Sequence, residues 1–207
     1  SAAAAPKRGD TDPMQAFSGL FERLDQSSGT TAKVELLRDY FAAAAAADAA
    51  WALQCLLGKQ RRRLISGRRL RQICLEHLGL PEWLFEACYS QVGDSAETIA
   101  LLLGGGEPAN GLENASIPDS PPLHAWMERL LPQAAALSGD EQARAVLELW
   151  AGRNAQELLV LNKLLTGGFR VGVGPGLVVR ALAQVSGLEE AELAHRLMGA
   201  WTHSTEA

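Results

Sequence analysis

Apolar residues recur at three- and four-residue spacing from Met14 to Trp201, and only Phe169–Val173 has any β character. Such spacing lines one face of a helix, whereas a half-buried strand needs strict alternation. Five residues are too few for a sheet, so the sequence predicts an all-α fold of roughly ten helices in two lobes. An apolar fraction of 47% is ample for a packed core.

The predicted helices follow from punctuation. Met14 opens a pattern of Phe17, Leu20, Phe21 and Leu24. Thr30 or Thr31 is placed to cap a second helix carrying Val34, Leu37, Tyr40 and Phe41. Asp48 is the expected cap of a third, with Trp51, Leu53, Cys55, Leu56 and Leu57 ahead of Gly58. Ser66 or Gly67 caps a helix from Arg68 to about Leu78, and Pro81 starts another with Trp83, Leu84, Phe85 and Tyr89 inside. Gly93-Asp94 caps Ser95–Leu103. Residues 104–122 are rich in Gly, Pro and Asn without periodicity and are expected to be a mobile or disordered linker. Beyond it come Leu123–Leu131, a helix behind a Ser138/Glu141 capping box, Ala155–Leu165 behind Asn154, a helix with Pro175 at N1 running through Ser186, and Glu189–Trp201 with an acidic first turn. The expected organisation is an arm over 1–13, disordered or added to the natural chain, a lobe over 14–103, the linker, a lobe over 123–201 and a tail over 202–207. All five tryptophans fall on apolar stripes and are expected in the core.

Charge is distributed unevenly. The net charge is -5, yet seven of the nineteen Lys and Arg residues lie in Lys59–Arg71, and no acidic residue occurs between Asp48 and Glu76. A solvated face interleaves both signs. Concentrated guanidinium suits a polyanion, because it matches phosphate bidentately and is weakly hydrated. Arg68, Arg69 and Arg71 would sit in a first helical turn, where the dipole disfavours cations, and a phosphate bound there would resolve the conflict. A basic loop that only aids solubility, or a patch for an acidic protein partner on a helical scaffold, remain alternatives.

Several chemistries are excluded. Cys55, Cys74 and Cys88 are too few and too irregular for a disulfide framework and fit a reducing compartment. The four histidines lack metal-ligand spacing, so a zinc site is not expected. No apolar run spans a bilayer, and the first residues lack the apolar core of a secretory signal. No nucleophile motif surrounds Ser66. Asp94 and Glu97 read as helix-start residues, and His195 as a packed or capping one. The glycine-rich stretch Thr166–Gly176 lacks the Lys of a P-loop and the βαβ setting of a dinucleotide fold. Its glycines would instead let backbone N–H groups approach a sugar-phosphate strand, flanked by Lys163, Arg170 and Arg180. A tight inter-helix turn with positive φ is the competing reading.

The stretch Asn162-Lys-Leu-Leu-Thr-Gly-Gly-Phe-Arg-Val-Gly-Val-Gly174, followed by Val178-Val-Arg-Ala-Leu-Ala183, resembles the signature of the N-terminal DNA-binding domain of bacterial ATP-dependent DNA ligases. Gly93-Asp-Ser-Ala-Glu-Thr-Ile-Ala100 is similar to that domain's second recurrent motif. The resemblance runs from about Met14 to Trp201. It implies one all-helical DNA-binding domain over 14–201, lying across the minor groove at a nick while a catalytic core and an OB-fold domain close the ring. By matching positions it implies backbone contacts at Thr166, Gly167, Gly168, Arg170, Gly172 and Gly174. Charge alone adds Lys59, Arg61, Arg62, Arg63, Arg68, Arg69 and Arg71, with Ser66 at the cap, and Lys163 and Arg180 beside the glycines. No Lys of this chain (7, 33, 59, 163) is followed by x-Asp-Gly, the adenylylated nucleophile of such ligases. The chain is therefore expected to be a fragment, or one whose catalytic part lies elsewhere, binding without sealing. It needs no cofactor of its own, while ATP and Mg2+ are implied for the parent ligase. The further expectations are nicked double-stranded DNA as partner, a monomer in the bacterial cytoplasm at the nucleoid, and service in repair, replication or recombination. The Arg stretch and the glycine turn, in different lobes, are expected to face one concave surface.

Overall fold

Helix after helix begins where a short polar side chain or a proline precedes an apolar stripe. The computed structural model describes residues 12–59, 62–104 and 121–198. Among these it contains eleven helices and no strand, as the periodicity predicts. They are α1 (Pro13–Gln26), α2 (Thr30–Ala43), α3 (Ala46–Leu56), α4 (Gly67–Leu78), α5 (Glu82–Val92), α6 (Ser95–Gly104), α7, α8 (Gly139–Trp150), α9 (Ala155–Thr166), α10 (Pro175–Ser186) and α11 (Glu190–Met198). Helix α7 starts as Leu123–Ala125, passes through a π-helical turn at Trp126–Leu130 and finishes as Leu131–Ala136. Residues 1–11 of the expected arm (1–13), most of the expected linker (105–120), Trp201 and the tail lie outside the described residues; Asp12 and Pro13, expected in the arm, instead start α1.

The helix starts differ from expectation in detail. Asp12 caps α1, accepting from Met14 N at 2.8 Å, with Pro13 in the first turn. Gly29 is the residue before α2, and neither Thr30 nor Thr31 caps it. Asp48 does not cap α3; the helix starts two residues earlier and buries this carboxylate in its first turn. The capping box expected at Ser138 is not formed, whereas Asn154 and Glu157 form one reciprocally at α9. Glu157 accepts from Asn154 N at 3.0 Å and from Arg153 Nη1 at 3.2 Å, so one buried carboxylate satisfies a helix end and a guanidinium.

The contacts group the helices otherwise than in sequential halves. One unit combines α1–α3 with residues 121–123 and 171–198; the other holds 58–59, 62–104 and 124–170. In the first, α2 packs against α1 and α10, and α11 packs on α10. The apolar faces of α2 (Val34, Leu37, Phe41) and α10 (Val178, Val179, Ala181) are buried, so early and late stretches share a core. In the second, α6 packs against α4, α5 and α9, and α8 against α4 and α7. Hydrophobic complementarity decides such pairings, and the position of a glycine-rich stretch in the sequence does not.

Trp51, Trp126 and Trp150 are buried as expected, but Trp83 is 69% exposed and Tyr89 40%. Helix α5 buries only Phe85 fully, because a helix covered on one side hides a single stripe and residues 83 and 89 fall off it.

Candidate nucleic-acid interface

The basic stretch and the start of the glycine turn meet within the second unit. The carbonyl of Leu165, in the last turn of α9, accepts hydrogen bonds from the N–H groups of Leu64 (2.9 Å) and Ile65 (3.0 Å). A helix leaves its last carbonyls without intrahelical partners, and here the chain between the two arginine groups supplies the donors. Ile65 is buried, while Arg62 and Arg63 before it are exposed. Ser66 then caps α4 by accepting from Arg69 N at 3.2 Å. A Cβ on Gly67 would lie 3.8 Å from Ser95 Oγ and 4.0 Å from a Thr166 methyl, so the starts of α4 and α6 and the end of α9 adjoin. Lys59–Arg71 and Thr166–Arg170 thus share one unit, contrary to their expected placement in separate lobes.

Burial sorts the cations. Arg68 is exposed in the first turn of α4. Arg69 donates to Gln142 Oε1 (3.2 Å) and the Gly139 carbonyl, tying α4 to the start of α8. Arg71 pairs with Glu82 (2.8 Å) and Glu86 (2.6 Å), and its guanidinium lies 4.7 Å from the centroid of Phe85, tying α4 to α5. Two of the three arginines in the unfavourable first turns of α4 therefore have internal structural partners. Lys59 is exposed, and Arg61 lies outside the described residues. Arg180, exposed on α10, has a loose surface contact of 3.8 Å with Glu190.

The glycine turn divides by the reason for each glycine. Gly167, at φ 70°, ends α9 in the left-handed region. Its N–H donates to Leu164 O and that of Gly168 to Lys163 O, the paired bonds of a Schellman ending. A Cβ on Gly168 would stand 3.3 Å from Thr166 Oγ1, whose hydroxyl donates back to Asn162 O at 2.8 Å. Arg170 Nη1 rests on the Phe169 carbonyl at 2.9 Å, and Phe169 and Val173 are buried anchors. Gly174 and Gly176 differ. Both are exposed, neither has positive φ, and a Cβ on either would meet nothing within 4 Å. At Gly172 a Cβ would meet only Lys33 Nζ, at 4.0 Å. Neither conformation nor packing within the described residues calls for glycine at 174 or 176.

Behind the turn, Asn162 is fully buried and links three helices, accepting from Trp150 Nε1 (2.9 Å) and donating to Ala96 O (3.3 Å). Asp94 accepts from Glu97 N at 3.0 Å, capping α6 as the sequence suggests, and from Lys163 Nζ at 2.8 Å. Burial works to raise the Asp94 pKa, but the Lys163 ammonium and the α6 amides outweigh it and hold the carboxyl below the ordinary Asp value. Lys163, taken by charge as a DNA contact, thus has a carboxylate partner. Lys33, which charge reasoning passed over, donates to the Gly172 carbonyl at 2.9 Å. A lone Lys on an amphipathic helix gives no sequence signal of that role.

The model of the family described as DNA ligase N terminus matches residues 13–183. The chain belongs to that family. A "Probable DNA ligase" from Koribacter versatilis (strain Ellin345) is 26% identical over 195 residues, covering 90% of this chain and 32% of the relative. The ligase domain therefore spans about a third of the curated relative it matches. Among its described residues, no group of three or more His, Cys, Asp and Glu could hold a metal ion, and no helix is long and apolar enough to cross a membrane.

Proposed function

We propose that this ligase domain grips nicked duplex DNA through its sugar-phosphate backbone while a catalytic core elsewhere in the parent ligase, using ATP and Mg2+, seals the break. In the second unit the contacts are Arg62, Arg63, Ser66, Arg68 and the turn Thr166–Arg170; in the first they are the exposed glycines 172 and 174. Service in repair, replication or recombination, and a cytoplasmic, nucleoid setting, follow from that activity.

The carrying observation is glycine where the protein itself has no use for it. Exposed Gly174 has φ -75° and ψ 155°, a conformation open to any L residue and suited to the position before Pro175. A missing Cβ then serves an outside surface at close range. Phosphate contacts fix position without reading sequence, so binding should be indifferent to base sequence.

Gly174→Ala tests the reading. Stability should hold or rise by about 0.4–1 kcal/mol, because the unfolded chain loses freedom and nothing clashes. Affinity for nicked duplex should fall. With about five phosphates neutralised, log K of the wild type should decline against log salt with a slope of about -4 to -5. A slope near zero removes the DNA reading; wild-type affinity in Gly174→Ala removes the close-approach reading.

A further inference from the structure

The two lysines nearest the glycine turn are both engaged by the protein. On α9, Lys163 Nζ lies 2.8 Å from Asp94 Oδ2, and its side chain is only 19% exposed. Its own carbonyl accepts from Gly168 N at 2.9 Å and, more weakly, from Thr166 Oγ1 at 3.4 Å. One residue therefore holds the start of the turn by its backbone and the start of α6 by its ammonium. On α2, Lys33 Nζ donates to the Gly172 carbonyl at 2.9 Å, across 139 residues of sequence. That bond directs the Gly172 carbonyl toward α2. It also fixes the middle of a stretch in which Val173 N donates to Val171 O at 2.8 Å and Gly174 O accepts from Leu177 N at 3.1 Å.

We infer that Lys33 and Lys163 are positioning residues of the proposed DNA site. Lys33 holds Gly172 within the first unit and Lys163 holds the start of the turn within the second, and neither places its ammonium on a phosphate. This rests on the DNA-binding reading for its purpose, though not for its geometry. A phosphate would have to compete with Asp94 for Lys163 and with a main-chain carbonyl for Lys33. Losing either lysine frees the turn while leaving the count of phosphate-neutralising charges unchanged. The two motifs of the resemblance, Gly93–Ala100 and Asn162–Gly174, are joined by Lys163 and Asp94 for the same reason.

The test uses the whole 207-residue chain with Lys33→Met and Lys163→Met, and Lys33→Arg and Lys163→Arg as conservative partners. In the free protein, amide exchange across residues 166–174 should quicken roughly tenfold in each Met variant, as a local opening loses a restraint, and return towards wild type in the Arg variants. On nicked duplex, affinity should fall in the Met variants with the salt slope unchanged. A direct phosphate contact would instead lower the slope by about 0.9 for each lysine removed. Should Lys163→Met fail to fold, Asp94→Asn decides. Positioning predicts weaker binding, whereas a competing phosphate contact predicts tighter binding once the ammonium is released. Wild-type exchange in the turn, a slope lowered by about 0.9, or tighter binding of Asp94→Asn each overturns the assignment for the lysine concerned. The exchange arm needs no DNA, so it stands even if the wild type ignores the nick.

Discussion

Replacing Asn162 with Leu should destabilise the domain by an amount the structure allows to be worked out. The side chain is fully buried, and Leu is close to it in size, so the cost lies in hydrogen bonding. Trp150 Nε1, buried against it at 2.9 Å, would lose its acceptor. A stranded buried donor costs about 1–3 kcal/mol. The longer bond to Ala96 O, at 3.3 Å, adds less, because that carbonyl lies inside α6 and keeps its partner four residues on. The expected loss is about 2–4 kcal/mol, which is roughly 6–12 °C in Tm for a 3 kcal/mol change in a chain of this size. Urea unfolding followed by far-UV circular dichroism measures it, with a lowered midpoint at constant m-value. The pairing has its own control. In an Asn162→Leu background, Trp150→Phe should cost about 1–2 kcal/mol less than in the wild type, since the polar group left stranded is then gone. A loss under about 0.5 kcal/mol, or strict additivity with Trp150→Phe, would refute the reasoning.

Two further outcomes follow from single contacts. Gly104→Ala reverses the usual helix trend: Ala is favoured over Gly by about 1 kcal/mol in a helix, but the new Cβ would stand 2.9 Å from Ala155 Cβ and 3.1 Å from its Cα, so thermal unfolding should show a lower Tm. The Asp94–Lys163 pair should add stability at neutral pH and lose it in acid. The Asp94 pKa is lowered on folding, so its contribution is complete above the unfolded value of about 3.9 and disappears as pH falls through the folded value. The stability gap between wild type and Asp94→Asn should be level from about pH 5 to 8 and close below about pH 4; a gap that changes through neutrality would point to another group.

Most of the fold is legible in the sequence because periodicity and punctuation are local. Ser66, Asp94, Asn154, Gly167 and Pro175 all mark helix ends, and the stripes between them face inward. Thr30, Asp48 and Ser138 mislead for one reason: a capping side chain is optional, and these three helices start without one. Trp83 and Tyr89 mislead because periodicity reveals a stripe without saying how wide a strip the neighbours cover. The family is legible in the motifs of the glycine turn, but the partners of the cations around it are not. Arg69, Arg71 and Lys163 read by charge as phosphate ligands, and nothing in the sequence signals that Gln142, Glu82, Glu86 and Asp94 pair with them. Lys33 reads as a solvated residue because its partner is a main-chain carbonyl, which carries no side-chain signature.

The division of the chain also sets an order of assembly. The helices α4–α9 follow one another in sequence, so during synthesis that unit can close on itself as soon as α9 has emerged. Helices α1–α3 are made before them, yet the buried face of α2 must wait for α10 to be completed. Closing so long a loop costs little more entropy than closing a short one, since the penalty grows only with the logarithm of length. The cost is in time. Until α10 arrives, the part of the α2 face (Val34, Leu37, Phe41) that α1 does not cover stays open to water and to other chains, so a part made before α4–α9 is protected after them.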